Sequence, residues 1–306
     1  MKIKYNCFIV IVFVFSNAFA FCAEYPILLS RPYEKGNIIT KNAVMQTSTK
    51  FVILDNNKTQ IQSQSNKFSV NYNGIETVLK VDGHGNVLEL KAEINKFLLK
   101  SSKGEHSLIS KGQILSAKTD NDKTIYKVGD IELAANIKQY VSDIISTYHS
   151  NEINPDEIYG TSIQKRVGDK WDINSTLMKK EIESGIFNVS KVKGTVELAK
   201  VEKINNIECL LLVTNIQANI DYYKTNKTKV NNGYFKMQMF SYYPVDLRKH
   251  IIKETVSLFT HIECPTPQKE GWITKIEIKQ DMETTITPSA TKDTSGLSED
   301  GSGKKK

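Results

Sequence analysis

Histidine and cysteine are the residue types best suited to metal binding and nucleophilic chemistry, and this chain has few of them. Its five histidines are scattered, and they form neither a His-x-His pair nor a His-Glu-x-x-His helix. His261 and Cys264 lie close in sequence, but a zinc site needs three or four ligands. Asp82-Gly83-His84-Gly85-Asn86 lacks the further carboxylates of a calcium loop and is typical of a hairpin turn. The sequence therefore predicts no metal and no cofactor.

Motifs for catalysis are also missing from the chain. It contains no Gly-x-Ser-x-Gly elbow, no Ser-x-x-Lys motif and no glycine-rich phosphate loop ending in Lys. Aspartate and glutamate are abundant, but their spacing selects no acid–base pair. We therefore expect no catalytic residues. An enzyme with an unassigned site stays an alternative, because catalytic groups can assemble from distant parts of a chain.

Four cysteines are spread along the chain, at Cys7, Cys22, Cys209 and Cys264. An oxidising compartment would favour a disulfide between the last two. In an up-and-down meander, however, they lie toward opposite edges of the sheet, and a ten-residue strand spans roughly 33 Å. Bonded cysteines need α-carbons within about 7 Å. We expect two unpaired thiols, with a bond from Cys22 to one of them as the alternative.

The first twenty residues have the pattern of a secretory signal peptide. Lys2 and Lys4 precede the short apolar run Cys7 to Phe15, and Ala18-Phe19-Ala20 is a small-x-small cleavage site. The run is too short to cross a bilayer. We expect an exported bacterial protein, periplasmic or extracellular, that is cleaved near Ala20.

Charge is moderate and evenly distributed. Lysine and arginine number 41 against 34 acidic residues, which gives a formal net charge of +7. Because the basic residues are interleaved with acidic ones, we expect no nucleic-acid partner. A lipid or an envelope protein is the partner class that an exported protein of this kind would meet. The sequence leaves the oligomeric state open.

Alternation of apolar and polar residues dominates the mature chain, which is typical of half-buried strands. From Trp272 to Ile286 the even positions are mostly apolar or neutral, while Lys275, Glu277 and Lys279 are charged. Residues 192–288 predict five antiparallel strands, and shorter segments such as Ile61–Tyr72 predict further strands before residue 128. The predicted fold class is mainly β (α+β), with long antiparallel meander sheets.

One amphipathic helix is predicted over about residues 130–149, begun by Asp130, ended before Asn154-Pro155 and packed on the sheet. It separates an N-terminal β region (21–150) from a C-terminal meander (151–288), and a polar tail (289–306) should be disordered. The segments Arg31–Asn37 and Gln164–Trp171 are both basic and lead through glycine into a strand. A duplicated unit, roughly 28–128 and 163–288, is one interpretation.

A family resemblance covers about 120 residues of the C-terminal half. It is carried by Val167-Gly168-Asp169-Lys170-Trp171, by a hairpin arm from Val196 to Tyr222 and by Tyr242-Tyr243-Pro244-Val245-Asp246-Leu247. The chain resembles a loose group of exported bacterial proteins of unknown function. It is also faintly similar to the curved half-barrel of periplasmic lipoprotein-carrier and lipid-binding proteins. The resemblance implies architecture and no site residue.

Three functions follow as hypotheses. The first is an exported, non-enzymatic binding module or envelope component. The second is a periplasmic carrier of a lipid or other apolar ligand, and the third is an enzyme. The carrier would hold its ligand on the apolar face of the C-terminal sheet, whose candidate residues are Leu210, Leu212, Ile216, Phe235, Met237, Met239, Leu258, Trp272 and Ile276. A continuous apolar cavity of several hundred Å³ on that face would favour the carrier, whereas packing against the helix would fill it.

Overall fold

The structure is a computed structural model that describes residues 23–224, 228–267 and 269–288. The predicted signal peptide, Cys22 and the predicted disordered tail lie outside the described residues. Among the helices of the described part, none has both the length and the apolar character that crossing a bilayer requires.

Antiparallel strands make up most of the chain, as the alternating sequence predicts. The strands are β1 (Tyr25–Ile27), β2 (Ile38–Leu54), β3 (Gln60–Val81), β4 (Val87–Ser101), β5 (Gly104–Ser107), β6 (Ile114–Asp120), β7 (Lys123–Val128), β8 (Ile131–Glu132), β9 (Thr161–Lys165), β10 (Lys170–Asp172), β11 (Phe187–Ile204), β12 (Ile207–Tyr223), β13 (Thr228–Lys229), β14 (Asn232–Pro244), β15 (Lys253–Pro265) and β16 (Ile273–Pro288). The helices are α1 (Ala135–Ser142), α2 (Pro155–Tyr159) and α3 (Ser175–Ser184). The mainly β fold class is confirmed, and the five long strands predicted over 192–288 are β11, β12, β14, β15 and β16.

Fourteen of these strands form one sheet, and β1 pairs separately with β9. The order in the large sheet is β10-β11-β12-β14-β15-β16-β2-β3-β4-β6-β7-β8, with β13 on β12 and β5 on β4. Each half therefore has six strands in chain order and one short strand added to its third strand. The halves join where β16 pairs with β2 along its whole length. Neither β2 nor this junction is predicted by the sequence pattern.

The turn that leads into β2 has a specific hydrogen-bonded form. The side chain of Asn37 accepts from the backbone N–H of Glu34 at 2.8 Å. Gly36 has a φ of +93°, a conformation that favours glycine. Its N–H donates to the carbonyl of Val78 on β3, whose own N–H donates back to Asn37.

The turn that leads into β10 repeats this form. Asp169 accepts from the backbone N–H of Arg166 at 2.8 Å, and Gly168 also has a φ of +93°. The N–H of Gly168 donates to Leu198 on β11, and the N–H of Leu198 donates back to Asp169. Together with the repeated strand order, these matching turns favour the duplicated unit.

Two hydrophobic cores lie on one face of the sheet. One contains Val141 of α1 with residues of β2, β3, β4, β6 and β7. The other contains Ile158 of α2 and Met178 of α3 with residues of β11, β12, β14 and β15. Each half thus covers its own apolar face with its own helix or helices.

The helical layer differs from the prediction in extent. The predicted helix over 130–149 is only α1, eight residues long, and its N-cap is Ala134 without a side-chain hydrogen bond. Asp130 instead lies in the turn between β7 and β8. Asn154-Pro155, which the sequence pattern predicts just after the end of that helix, begins α2: Asn154 caps the backbone N–H of Asp156 and proline occupies the first turn. The helices α2 and α3 are too short to show a clear helical period.

Both described cysteines are buried free thiols. Cys209 pairs with Pro244 on β14, and Cys264 pairs with Thr274 on β16. One strand of the meander, β14, lies between their strands β12 and β15, and the two cysteines lie near opposite ends of it.

Candidate functional site

The predicted ligand face is largely a packed core. Seven of its nine residues belong to or pack against the core beneath α2 and α3. These are Leu210, Leu212, Ile216, Phe235, Met237, Leu258 and Ile276. Met239 lies in the same face but in neither core, and Trp272 precedes β16. Whether these residues touch a ligand stays a prediction.

A cavity of about 690 Å³ lies on the opposite, polar face of the sheet. We call it the basin. It is lined by Asp172, Lys193, Gly194, Thr195, Asn215, Ile216, Gln217, Lys236, Met237, Gln238, Ser257, Leu258, Phe259 and Lys279. Six neighbouring strands, β10 to β16 without β13, supply these residues. One cavity can touch six neighbouring strands only where the sheet curves toward it, so the basin is a trough across the strands.

The pairing register explains how the basin is built. Gly194, Ile216, Met237 and Leu258 form one row across four strands. Since side chains alternate between faces, this row turns its side chains to the helices and offers only its backbone to the basin. The side chains of the two flanking rows form the walls. One row is Thr195, Asn215, Gln238 and Ser257, and the other is Lys193, Gln217, Lys236, Phe259 and Lys279.

A smaller cavity of about 230 Å³ continues the basin along the strands. It shares Lys193, Gln217 and Lys236 with the basin, and it adds Lys191 and Tyr234. The trough is therefore open beyond the row that contains Lys236.

Positive charge is concentrated in this trough. Lys191, Lys193 and Lys236 form no ion pair with any carboxylate among the described residues. Lys236 instead holds its Nζ 5.2 Å from the ring centre of Tyr234. Lys279 is neutralised by Asp281 at 3.2 Å. Unpaired ammonium groups around one cavity attract an anion.

An aromatic cluster borders the lysines on the same polar face. The rings of Tyr234 and Phe259 lie 5.8 Å apart. Tyr234 also stacks on His261, with ring centres 5.2 Å apart. The rings of Tyr234 and Phe259 are half-buried, so part of each is open to contact, whereas the side chain of His261 is only 12% exposed.

The remaining wall groups donate and accept hydrogen bonds. Gln238 donates from Nε2 to Oδ1 of Asn215 at 2.9 Å. Ser257 donates to Oδ1 of Asp281 at 2.7 Å. The described residues offer no side-chain partner to the amide of Gln217. These contacts hold the walls in place and leave polar atoms for a ligand.

The lining of the basin is rich in hydrogen-bonding and charged groups. Its lining has amides, hydroxyls, ammonium groups, one carboxylate and one phenyl ring, but no cysteine or histidine. In the described part of the chain, no group of three or more His, Cys, Asp or Glu residues could hold a metal ion.

Sequence reasoning missed the basin because it assigned the polar face of the sheet to solvent. The sequence feature that could have revealed the basin is a pair of aromatic residues, Tyr234 and Phe259. Both lie near Lys236 and at positions that alternate with the apolar ones, so their side chains share the polar face. Their convergence with Lys193 depends on the register of β11, β12, β14 and β15, which the sequence does not state.

Comparison with known proteins adds no family. No protein-family model matches the chain, and no curated protein matches its sequence. A solved structure describing lipid–protein interactions in lipovitellin matches 84% of this chain at 7% identity and a TM-score of 0.34, and the chain spans 26% of that protein. An outer membrane channel from Pseudomonas putida F1 matches 86% of this chain and 98% of its own at 10% identity and a TM-score of 0.19. Because both TM-scores are below 0.5, we draw no functional conclusion from either likeness.

Proposed function

We propose that this protein is an exported, non-enzymatic binding protein that holds an acidic saccharide in the basin. The observation that carries the proposal is the set of three unpaired lysines, Lys191, Lys193 and Lys236, along the trough that the basin and the smaller adjoining cavity form. An anionic ligand would supply the carboxylates that these ammonium groups lack.

The polar walls favour a ligand rich in hydroxyl groups. Asn215, Gln217 and Gln238 carry amides that both donate and accept hydrogen bonds. An apolar lipid tail in the same place would leave the remaining donors and acceptors of these amides without partners, which costs free energy. A saccharide would satisfy them with its hydroxyls.

The aromatic border supports the same ligand class. Rings such as those of Phe259 and Tyr234 combine a flat apolar surface with large contact area, and a sugar ring presents a matching face of C–H groups. The volume of about 690 Å³ falls in the usual range for small-molecule sites, 300–1,000 Å³.

Calorimetric titration with trigalacturonate and maltotriose tests the proposal. The acidic trimer should bind, with an affinity that falls as salt is added, whereas the neutral trimer should bind far more weakly. Lys236→Gln should weaken trigalacturonate binding about tenfold, which corresponds to about 1.4 kcal/mol. The matched control is Lys127→Gln, an exposed lysine on β7, which should bind as the wild type does.

Two results would reject the saccharide. One is the absence of any trigalacturonate binding at millimolar ligand. The other is tighter binding of a thymidine oligonucleotide of equal charge, which would assign the lysines and rings to a single-stranded nucleic acid.

A carrier of an apolar ligand is the second candidate. The side chain of Met239 is half-buried and lies between the two cores, in one row with Val256 and Met282. A lipid that co-purifies with the mature protein, seen by native mass spectrometry, would support this candidate over the basin.

A further inference from the structure

A second cavity, of about 600 Å³, lies on the helix-covered face of the sheet, away from the basin. We call it the cleft. Its walls come from the segment before β2, the hairpin between β3 and β4, the segment after α1, and α3. The charged groups that line it include Arg31, Lys41, Glu76, Glu152 and Glu181.

Arg31 is the unusual member of this lining. The residue is only 8% exposed. Among the described residues its guanidinium donates hydrogen bonds only to backbone carbonyls, and it lies 5.9 Å from the ring centre of Tyr243. Nε donates to Leu28 at 2.8 Å, Nη1 to Asp246 at 3.4 Å and Nη2 to Pro244 at 3.3 Å. A guanidinium has five N–H groups, so two of them have no acceptor among the described residues.

No carboxylate in the described part of the chain lies within ion-pair distance of Arg31. Asp156 is the acidic residue whose charge acts on it most strongly, but its two oxygens accept from the backbone N–H groups of Leu29 and Ser30. Burial lowers the pKa of Arg31 even though Tyr243, Asp156 and Asp246 act to raise it. The buried charge is therefore only partly compensated.

The other cation of the cleft already has a partner. Nζ of Lys41 lies 3.7 Å from Oε1 of Glu76 and donates to the carbonyl of Ile144 at 2.5 Å. Arg31 is thus the group in the cleft that gains most from an added anion, because buried charges are normally paired.

We propose that the cleft is a second binding site, which holds a small carboxylate-bearing molecule on Arg31. A planar carboxylate can accept two N–H groups of a guanidinium, and Arg31 has two donors left. This site is independent of the basin, and each can exist without the other.

A pair of aromatic rings beside Arg31 can report whether an anion is bound in the cleft. The ring of Tyr33 lines the cleft and stacks on His250, with ring centres 3.7 Å apart and an interplanar angle of 9°. The charge of Arg31 also acts on His250. An anion bound to Arg31 would change the environment of both rings.

The test is an NMR titration of protein labelled at tyrosine and histidine. Sodium succinate should shift the ring signals of Tyr33 and His250 saturably, whereas sodium chloride at equal ionic strength should not. The signals of Tyr234, beside the basin, follow any binding of succinate there separately from binding in the cleft. If succinate and chloride give the same shifts, the proposal is wrong.

Two variants sharpen the assignment. Ser146→Trp places a large ring at an exposed position that lines the cleft and should weaken succinate binding at least tenfold. Ser142→Trp, also exposed but outside the lining, should bind succinate as the wild type does. Arg31→Lys, provided that its circular dichroism spectrum is native, should also weaken binding because lysine lacks the planar fork. Unchanged binding in Ser146→Trp would overturn the proposal even if Arg31→Lys fails to fold.

Discussion

Oε1 of Glu76 lies 3.7 Å from Nζ of Lys41 and accepts a hydrogen bond from the hydroxyl of Tyr72 at 3.1 Å. The carboxylate is buried, with 7% of its side chain exposed, and the lysine side chain is 16% exposed. This contact links β2 to β3 next to the junction of the two halves. A buried ion pair can contribute little net free energy to folding. Removing one partner nevertheless destabilises the protein strongly, because the other charge stays buried.

Glu76→Gln should therefore lower the free energy of unfolding by about 3 kcal/mol. The ammonium of Lys41 would remain buried without its carboxylate. Urea unfolding at neutral pH measures the change. Glu283→Gln removes the partner of Lys253 in an exposed pair, and it should cost less than about 1 kcal/mol. Equal losses of unfolding free energy in Glu76→Gln and Glu283→Gln would show that burial of the Lys41–Glu76 pair has no special effect on stability.

The ring of His250 should make stability depend on pH. Burial, followed by the charge of Arg31, lowers the pKa of His250 from 6.5 to about 4. Between these values the unfolded chain binds more protons than the folded protein, so stability should fall as the pH drops from 7 toward 4.

His250→Phe keeps a ring against Tyr33 and removes the titration. The wild type should lose stability relative to this variant between pH 7 and pH 4, measured as the difference between their unfolding free energies. A difference that stays constant with pH would show that His250 titrates alike in both states.

Gly194 leaves no room for a side chain. A Cβ there would lie 2.6 Å from the carbonyl oxygen of Asn215, 2.8 Å from Cδ1 of Ile173 and 3.0 Å from Cγ1 of Ile216. Gly194→Ala should thus destabilise the protein by about 1–3 kcal/mol through overpacking. Gly83→Ala is the control, because its Cβ would meet nothing within 4 Å. Thermal unfolding that is unchanged in Gly194→Ala would mean that β11 can shift freely.

The two buried thiols should be unreactive in the folded protein. Burial raises the pKa of both Cys209 and Cys264, and the thiolate is the reactive form. Iodoacetamide followed by peptide mapping should modify both residues in urea and neither under native conditions. Ser63→Cys, on an exposed part of β3, should be modified in the folded state as a positive control. Native modification of Cys209 would indicate local opening of β12.

The strands could be read from the sequence because burial imposes a period of two on them. In β12 the even positions from Leu210 to Ile220 are buried, as the alternation predicts. The strand β2 was not predicted because Thr47, Ser48 and Thr49 interrupt its alternation of apolar and polar residues. The basin could not be predicted for a different reason. It depends on the curvature of the sheet and on the register between strands, and the sequence of a single strand determines neither property.

The pairing of β16 with β2 has a consequence for how the chain folds. Ile273 meets Leu54 and Pro288 meets Ile39, so the contact joins segments separated by more than two hundred positions. Contacts of such long range form slowly. Each half can assemble its own meander from nearby strands, but the continuous sheet must wait until β16 arrives. An early folding product without that strand would expose the full edge of β2, which is where aggregation would begin.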